Sequence, residues 1–415
     1  MRVLVLDGNE NQAVAATRSL ARRGHEVWVG AETRWSKAGW SRSCSVQFRY
    51  PSPEPDPISF VTAIAAAAAA APGTLVLPMT ERTTLPISAH RQRIARARGR
   101  LVLPPHDVVE RAFDKAETTR LARRLGIAVP RTAVVSSDAS PYDTASVLRY
   151  PVVIKPRSSQ EYVGGALRTT GAPRYARDSK ELVVAWDELS RRCGSALVQE
   201  FVDGAGVGYF ALMREGELRA EFAHRRIRDV RPTGSGSSLR VSIAPPPRVR
   251  EAALAILTAL EWHGVAMVEF RMTSDGTPVF MEVNGRFWNS LALPIAAGID
   301  FPALVAALAV DGDVAVAGAY RIGVRCRWLL GDMRHLVEVW RGAPRGYPQP
   351  YPSRARTVVD VLVPNAHTVH DNFMWRDPLP ELGDWLHFGL RTLPRRLRRD
   401  RPTEVWHAAG RPSHP

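Results

Sequence analysis

Two apolar segments, Val265–Met272 (VAMVEFRM) and Pro278–Arg286 (PVFMEVNGR), flank Thr273–Thr277, and the Asp275–Gly276 pair inside that connection is a strong hairpin signal. A chain with this pattern has to bring the two segments together as antiparallel neighbours. Glu282 and Asn284 then project from one face, and Glu269 can face them from the adjoining strand. Val268, Phe270, Met281 and Val283 surround these groups with apolar bulk. Ionised carboxylates on apolar strands are costly unless a cation compensates them. Two carboxylates and an amide oxygen make a hard-oxygen set suited to Mg²⁺. The same pattern also fits the wet face of a half-exposed hairpin, and the residues alone leave both readings open.

The start of the chain alternates in an α/β manner. Val3–Leu6 is a continuous apolar run, as expected of a strand covered on both faces. After Gly8–Asn9, Ala13, Val14, Ala16, Thr17, Leu20 and Ala21 recur at helical spacing, Gly24 ends that helix, and His25–Gly30 reads as a second strand. Thr74–Thr80 and Arg100–Pro105 read as two more. Residues 1–106 thus read as a Rossmann-like α/β domain. Its first turn is DGNEN rather than GxGxxG, which disfavours NAD. Residues 107–312 read as α+β, with a helix over Asp107–Leu125, strands at IAVPRTAVV, YPVVIKP and LVQEFV, a loop over Arg157–Thr170, and a helix over Glu251–His263. Residues 313–415, rich in proline, aromatics and arginine, are expected to be a basic C-terminal extension with partial helices such as Leu382–Leu397.

The 415 residues leave room for roughly two to three domains. With 45% hydrophobic and 23% charged residues, neither wholesale disorder nor a disulfide-stapled miniprotein is expected. Cys44, Cys193 and Cys326 are widely spaced and form no CxxC pair, so a cysteine zinc site is disfavoured and a reducing cytoplasm is the simplest home. The start of the chain lacks the apolar region of a signal peptide, and the alanine run Ala63–Ala71 is too short to span a bilayer.

The net charge of +15 invites a nucleic-acid or membrane-surface reading, most directly at Arg395–Arg401. Yet of 56 basic residues only Lys37, Lys115, Lys155 and Lys180 are lysine, which points to a general replacement of lysine by arginine rather than a binding patch, so nucleic acid is an unlikely partner. The surviving lysines carry more information. Lys155 ends the strand of PVVIKP, and a compact ammonium can meet phosphate oxygens where the arginine fork does not fit. The run His224, Arg225, Arg226, Arg228 and Arg231, followed by the Gly/Ser loop Gly234–Ser238, suits either a solvated face or an anion site.

The order Lys115, Lys155, Gln199–Val202, Glu269 and Glu282–Asn284 resembles the ATP-grasp superfamily over about residues 1–312. That family includes D-alanine–D-alanine ligase, glutathione synthetase, biotin carboxylase and carbamoyl-phosphate synthase. The resemblance implies an ATP-grasp fold, α/β and α+β, preceded by the Rossmann-like domain. It implies ATP phosphates on Lys115 and Lys155, adenine held by the backbone of Glu200 and Val202, and ribose on Asp203. It also implies Mg²⁺ or Mn²⁺ on Glu269, Glu282 and Asn284, and Arg286 with Lys155 at the transferred phosphoryl group. Arg225, Arg226, Ser235, Ser237 and Asn289 become candidates for substrate binding. The family's usual proline after the metal asparagine is Gly285 here, and Glu161 and Tyr162 occupy a phosphate-covering loop that is usually richer in small residues.

The function implied is that of a carboxylate–amine ligase, in which a substrate carboxylate and an amine, an amino acid or peptide, join through an acyl-phosphate with release of ADP and phosphate. No covalent nucleophile is required, in keeping with the lack of a GxSxG signature. Carboxylation or carbamoyl transfer, and a non-catalytic ATP-binding protein, are the alternatives. A homodimer is compatible with the sequence.

Overall fold

The apolar run at the start of the chain lies inside a parallel sheet, with Val3, Leu4, Val5 and Leu6 fully buried. In this computed structural model, which describes residues 1–136, 140–141, 146–363 and 368–392 apart from the side chains of Ser235, Arg391 and Thr392, Arg2–Val5 pairs with Glu26–Ala31 and with Leu75–Leu77. Val46–Arg49 extends the sheet beyond Glu26–Ala31. The helix Asn11–Arg22 packs on one face against Val3 and Val5, and the alanine-rich helix Pro57–Ala69 on the other against Leu4 and Leu6. The expected strand over Arg100–Pro105 is reduced to one bridge, Leu75 to Arg100. Pro104 and Pro105 have no N–H to offer a ladder.

A second sheet runs Thr132–Ser136, Ser195–Glu200, Val152–Pro156 and Arg174–Ala176 in spatial order, all antiparallel. The helix Ser179–Ser190, capped where Asp178 accepts from the Glu181 amide at 2.9 Å, covers Val152, Ile154, Ala196 and Val198. Alternation puts Val153 and Lys155 on the opposite face.

The third sheet has seven strands, in the order Pro278–Asn284, Gly264–Met272, Ala205–Arg214, Glu217–Arg231, Ser235–Ile243, Arg325–Arg327 and Thr368–His370. One face packs on the helix Pro247–Ala259 through Val249, Ala253, Ile256 and Leu257. The other shares a continuous apolar core with the N-terminal parallel sheet, Phe210, Phe222 and Trp288 meeting residues such as Val14 and Leu20.

Four expectations are corrected. The helix over Asp107–Leu125 is two helices, His106–Phe113 and Lys115–Arg124, because the Asp114 carboxylate caps the second by accepting from the Ala116 and Glu117 amides at 2.8 and 3.1 Å. The loop Arg157–Thr170 holds a hairpin, Gln160–Val163 with Ala166–Thr169, turned at Gly164 and Gly165, whose φ values are +59° and +81°. The Gly/Ser run after Arg231 is mostly strand: Gly234 makes the turn and Ser235–Ile243 pairs back along Glu217–Arg231.

The fourth concerns the extension expected from 313 onward, which is built into the molecule. Two of its segments are strands of the large sheet. Arg18 and Asp377 form a buried ion pair at 2.8 Å, Lys37 and Asp384 another at 2.8 Å, and Arg240 is bonded to Asp371 inside the core. The helix Leu379–Thr392 is longer at its start than expected, and the remainder of the Leu382–Leu397 segment, with Arg395–Arg401, lies outside the described residues.

Candidate active site

The two acidic strands pair with Glu269 directly opposite Glu282, and Val268 opposite Val283. The ladder then slips by one residue, so that Phe270 faces Phe280 and Met281 is the extra residue. This bulge has a definite consequence. Strict alternation would put Phe280 and Glu282 on one face. With Met281 inserted, Phe280 and Val283 both enter the core beneath the helix Pro247–Ala259 while Glu282 faces the cleft.

Basic groups converge on these carboxylates from three elements. Arg226, on the neighbouring long strand, donates to Glu269 Oε2 at 2.6 Å and lies 3.7 Å from Asp229. Lys115, at the start of its helix, stands 3.6 Å from Glu282 Oε2 and 3.4 Å from the Ser159 hydroxyl. The Lys115 amide also donates to the Arg157 carbonyl at 2.9 Å, and Arg157 pairs with Asp114 at 2.5 Å, so cap, lysine and the segment leading into the hairpin Gln160–Thr169 are held together. Lys155 reaches in from the four-stranded sheet. Burial pushes its ammonium down to about 8, with Lys115 adding to the effect and Glu282 and Glu269 opposing it. Burial alone would raise Glu282, but Lys115, Lys155, the Asn284 amide and Arg286 together hold it below the ordinary carboxylate range. Glu269 is raised, by burial first and by Glu282, against the pull of Arg226.

Asn284 links the metal candidates to Arg286. Its amide nitrogen donates to Glu282 at 3.1 Å, and its oxygen accepts from Arg286 at 2.9 Å. A proline at 285 would meet an obstacle that glycine avoids: any Cβ there would sit 2.3 Å from the Trp262 ring. Among the described residues no cluster of three or more His, Cys, Asp or Glu side chains could hold a metal ion by itself. The donor set here, two carboxylates and one amide oxygen beside two ammonium groups, therefore fits a divalent cation that shares its coordination with an anionic ligand such as a polyphosphate.

At the other end of the cleft the strand Ser195–Glu200 runs out into Phe201 and Val202. The Glu200 amide bonds the Arg131 carbonyl at 3.0 Å and the Phe201 amide the Pro151 carbonyl at 2.9 Å. The Glu200 carboxylate turns to the outer surface, accepting from the Arg149 amide at 2.9 Å. That leaves only its backbone for a ligand in the cleft. Asp203 is exposed.

The expected substrate residues do not stay together. Arg226 faces Glu269, whereas Arg225 is exposed and in register with Val207, on the face packed by the helix Pro247–Ala259. Arg225 is thereby removed from the cleft, and Arg226 is committed to a carboxylate. Arg228 is likewise held by Asp332 at 2.6 Å. Ser237 is buried, with its carbonyl accepting from Arg240 at 2.9 Å, and the Ser235 side chain lies outside the described residues. Asn289 is partly buried, with an amide oxygen that has no hydrogen-bond partner. Its neighbour Ser290 is occupied by His224 Nε2 at 3.0 Å. His224 is fully enclosed, its ring tilted against that of Phe210 at 4.7 Å, and kept neutral by burial and by Arg226 and Arg240, so it acts in packing.

One residue was not anticipated. Glu81 begins the helix Glu81–Ala89, just after the parallel strand Leu75–Leu77, and its carboxylate enters the field of Lys115, Arg286 and Glu282. Burial raises it, the two cations pull it back, and one of its oxygens has no partner. The signal was present in the sequence: an acidic residue following the carboxyl end of a parallel strand, where open α/β sheets place ligands.

The chain is similar to several known proteins. Residues 193–331 match the family model described as "ATP-grasp in the biosynthetic pathway with Ter operon". The vancomycin B-type resistance protein VanB of Enterococcus faecalis is 27% identical over 47% of this chain and 60% of its own length. The D-alanine–D-alanine ligase of Stutzerimonas stutzeri is 27% identical over 48% and 65%, and the carbamoyl phosphate synthase large chain of Methanospirillum hungatei 26% over 54% and 21%. The chain thus spans less than two thirds of each of these relatives. Among solved structures, biotin carboxylase from Campylobacter jejuni superposes with a TM-score of 0.59 at 16% identity, covering 78% of this chain and 74% of that one. An L-amino acid ligase from Bacillus licheniformis gives 0.55 at 17%, covering 74% of each.

Proposed function

Since the chain belongs to the ATP-grasp superfamily, we propose that it is an ATP-dependent carboxylate–amine ligase. The observation that carries this reading is the pairing of Glu269 with Glu282 across one hairpin, opposite Lys115 and Lys155 from two other elements. Glu269, Glu282 and Asn284 would hold Mg²⁺ or Mn²⁺, which when bound supplies a positive charge shared by the transferring phosphoryl oxygens. Lys115 and Lys155 would neutralise phosphate oxygens, the Glu200 carbonyl and Val202 amide would meet the adenine edge, and Asp203 would meet the ribose.

A substrate carboxylate oxygen attacks the γ-phosphorus, the bond to the β-phosphate oxygen breaks, and ADP leaves. The amine nitrogen then attacks the acyl carbon, phosphate leaves, and the nitrogen gives up a proton. The chain's own part is to position and to neutralise charge. Arg286, anchored by Asn284 and by the Phe287 carbonyl at 2.9 Å, would face the developing phosphoryl charge. The hairpin Gln160–Thr169 would keep water from the acyl-phosphate. It is docked on the N-terminal domain through the Leu167 amide to the Glu54 carbonyl at 2.8 Å and Thr169 to the Glu54 carboxylate at 2.9 Å.

The test is a coupled ADP-release screen with amino acids, dipeptides and small carboxylic acids, each alone and with an amine, followed by product mass. Substrate-dependent ADP release with an amide product supports the reading. ATP binding without ADP release across the whole panel refutes it.

A further inference from the structure

The sheet bearing Lys155 and the sheet bearing Glu269 and Glu282 face each other across the cleft, and at the Glu200–Val202 end three rings close the gap. Tyr175 lies in register with Val153, hence on the Lys155 face of its sheet. Its ring centroid is 6.3 Å from Phe201 and 5.2 Å from Tyr347, and Phe201 and Tyr347 are 6.2 Å apart, all edge-to-face. The Tyr175 hydroxyl donates to the Thr233 carbonyl at 2.9 Å, and the Tyr347 hydroxyl to the Pro232 carbonyl at 3.2 Å. Pro232 and Thr233 form the turn between two long strands of the opposite sheet, so the tyrosines tie the two lobes together.

Tyr347 arrives from the segment after the helix Leu329–Arg341, with the Tyr351 ring 6.0 Å from its own. That segment passes close enough to Tyr175 that a Cβ on Gly346 would lie 2.3 Å from the Tyr175 carbonyl oxygen, and Gly346 has φ +76°. Neither Tyr175 nor Tyr347 falls within the residues matched by the family model.

We propose that Tyr175, Phe201 and Tyr347 form the outer wall of the adenine end of the nucleotide cleft, so that the C-terminal segment 343–351 positions the base. This rests on the ATP reading above. Ring edges beside an open strand end suit a planar base, whereas a polyphosphate gains nothing from them.

The test uses the full chain and its Tyr347→Ala and Tyr347→Phe variants, titrated calorimetrically with ADP and separately with inorganic tripolyphosphate. Tyr347→Ala should weaken ADP roughly tenfold. Its tripolyphosphate affinity should change by less than about twofold, since only the base end is disturbed. Tyr347→Phe keeps the ring and loses the bond to Pro232, so it should fall between wild type and Tyr347→Ala. Under turnover, KM for ATP should rise while kcat holds. Unchanged or tighter ADP binding in Tyr347→Ala overturns the proposal, as does an equal loss for both ligands, which would report a collapsed cleft. A wild-type chain that binds tripolyphosphate but not ADP also overturns it. One that binds neither overturns instead the nucleotide reading on which it rests.

Discussion

Lys155 should make nucleotide binding depend on pH in the opposite sense from stability. The residue is 8% exposed, and burial brings its pKa from 10.5 to about 8. A phosphate oxygen arriving beside the nitrogen favours the ammonium form. ADP binding should therefore draw a proton onto Lys155 wherever the unbound chain holds it partly neutral, that is, above about pH 8. If only the ammonium form binds, affinity at pH 9 should be about tenfold below that at pH 7. Stability runs the other way. The unfolded chain keeps the proton up to 10.5 and the native chain releases it near 8. Between those values the unfolded state binds more protons at this residue, so the Lys155 contribution to stability rises with pH, by about 3 kcal/mol over the whole window. Above pH 9 the thiols of Cys44 and Cys193, which burial pushes from 9.0 to about 11, offset part of this rise.

Calorimetric titration of ADP in buffers of different ionisation enthalpy counts the protons taken up, and denaturant melts across the same pH range give the stability. Lys155→Arg, whose charge is permanent over this range, should flatten both profiles. Zero proton uptake at pH 8.5, or an unchanged profile in Lys155→Arg, would refute the placement of this group in a buried phosphate site.

Glu282→Gln should lower Mg²⁺-dependent ADP formation by about a thousandfold or more while the circular dichroism spectrum is kept; normal turnover would remove Glu282 from the metal set. Gly285→Ala forces a Cβ against the Trp262 ring and should destabilise by about 1–3 kcal/mol, read as a lowered denaturation midpoint. Asp377→Ala leaves the buried Arg18 guanidinium, in the junction between the N-terminal helix and the C-terminal segment, with the Asn372 and Asp377 carbonyls but no carboxylate. Breaking that buried pair should cost about 3–5 kcal/mol, and a loss below about 1 kcal/mol would mean the C-terminal segment is not part of the cooperative fold.

Local chemistry made much of this protein legible in its sequence. The Asp275–Gly276 turn announces the hairpin that sets Glu269 against Glu282, because turn geometry and strand alternation are short-range constraints. The proline after Lys155 ends a strand, and the apolar run Val3–Leu6 declares a doubly covered strand, for the same reason. Lysine scarcity marked Lys115 and Lys155, and both reach the acidic hairpin.

What stayed hidden depends on contacts distant in sequence. Whether Arg225 or Arg226 faces the cleft turns on the register of a long strand, and a shift of one residue exchanges them. Glu81 enters the site only because the N-terminal sheet shares its core with the large sheet. The C-terminal segment reads as a basic tail by composition. Its role emerges only where Asp371, Asp377 and Asp384 meet Arg240, Arg18 and Lys37, which lie 131, 359 and 347 residues away along the chain. Sequence alone determined which residues could carry charge on apolar strands. Tertiary packing decided which of those charges meet, since a charge is stabilised by what surrounds it in space rather than by its neighbours along the chain.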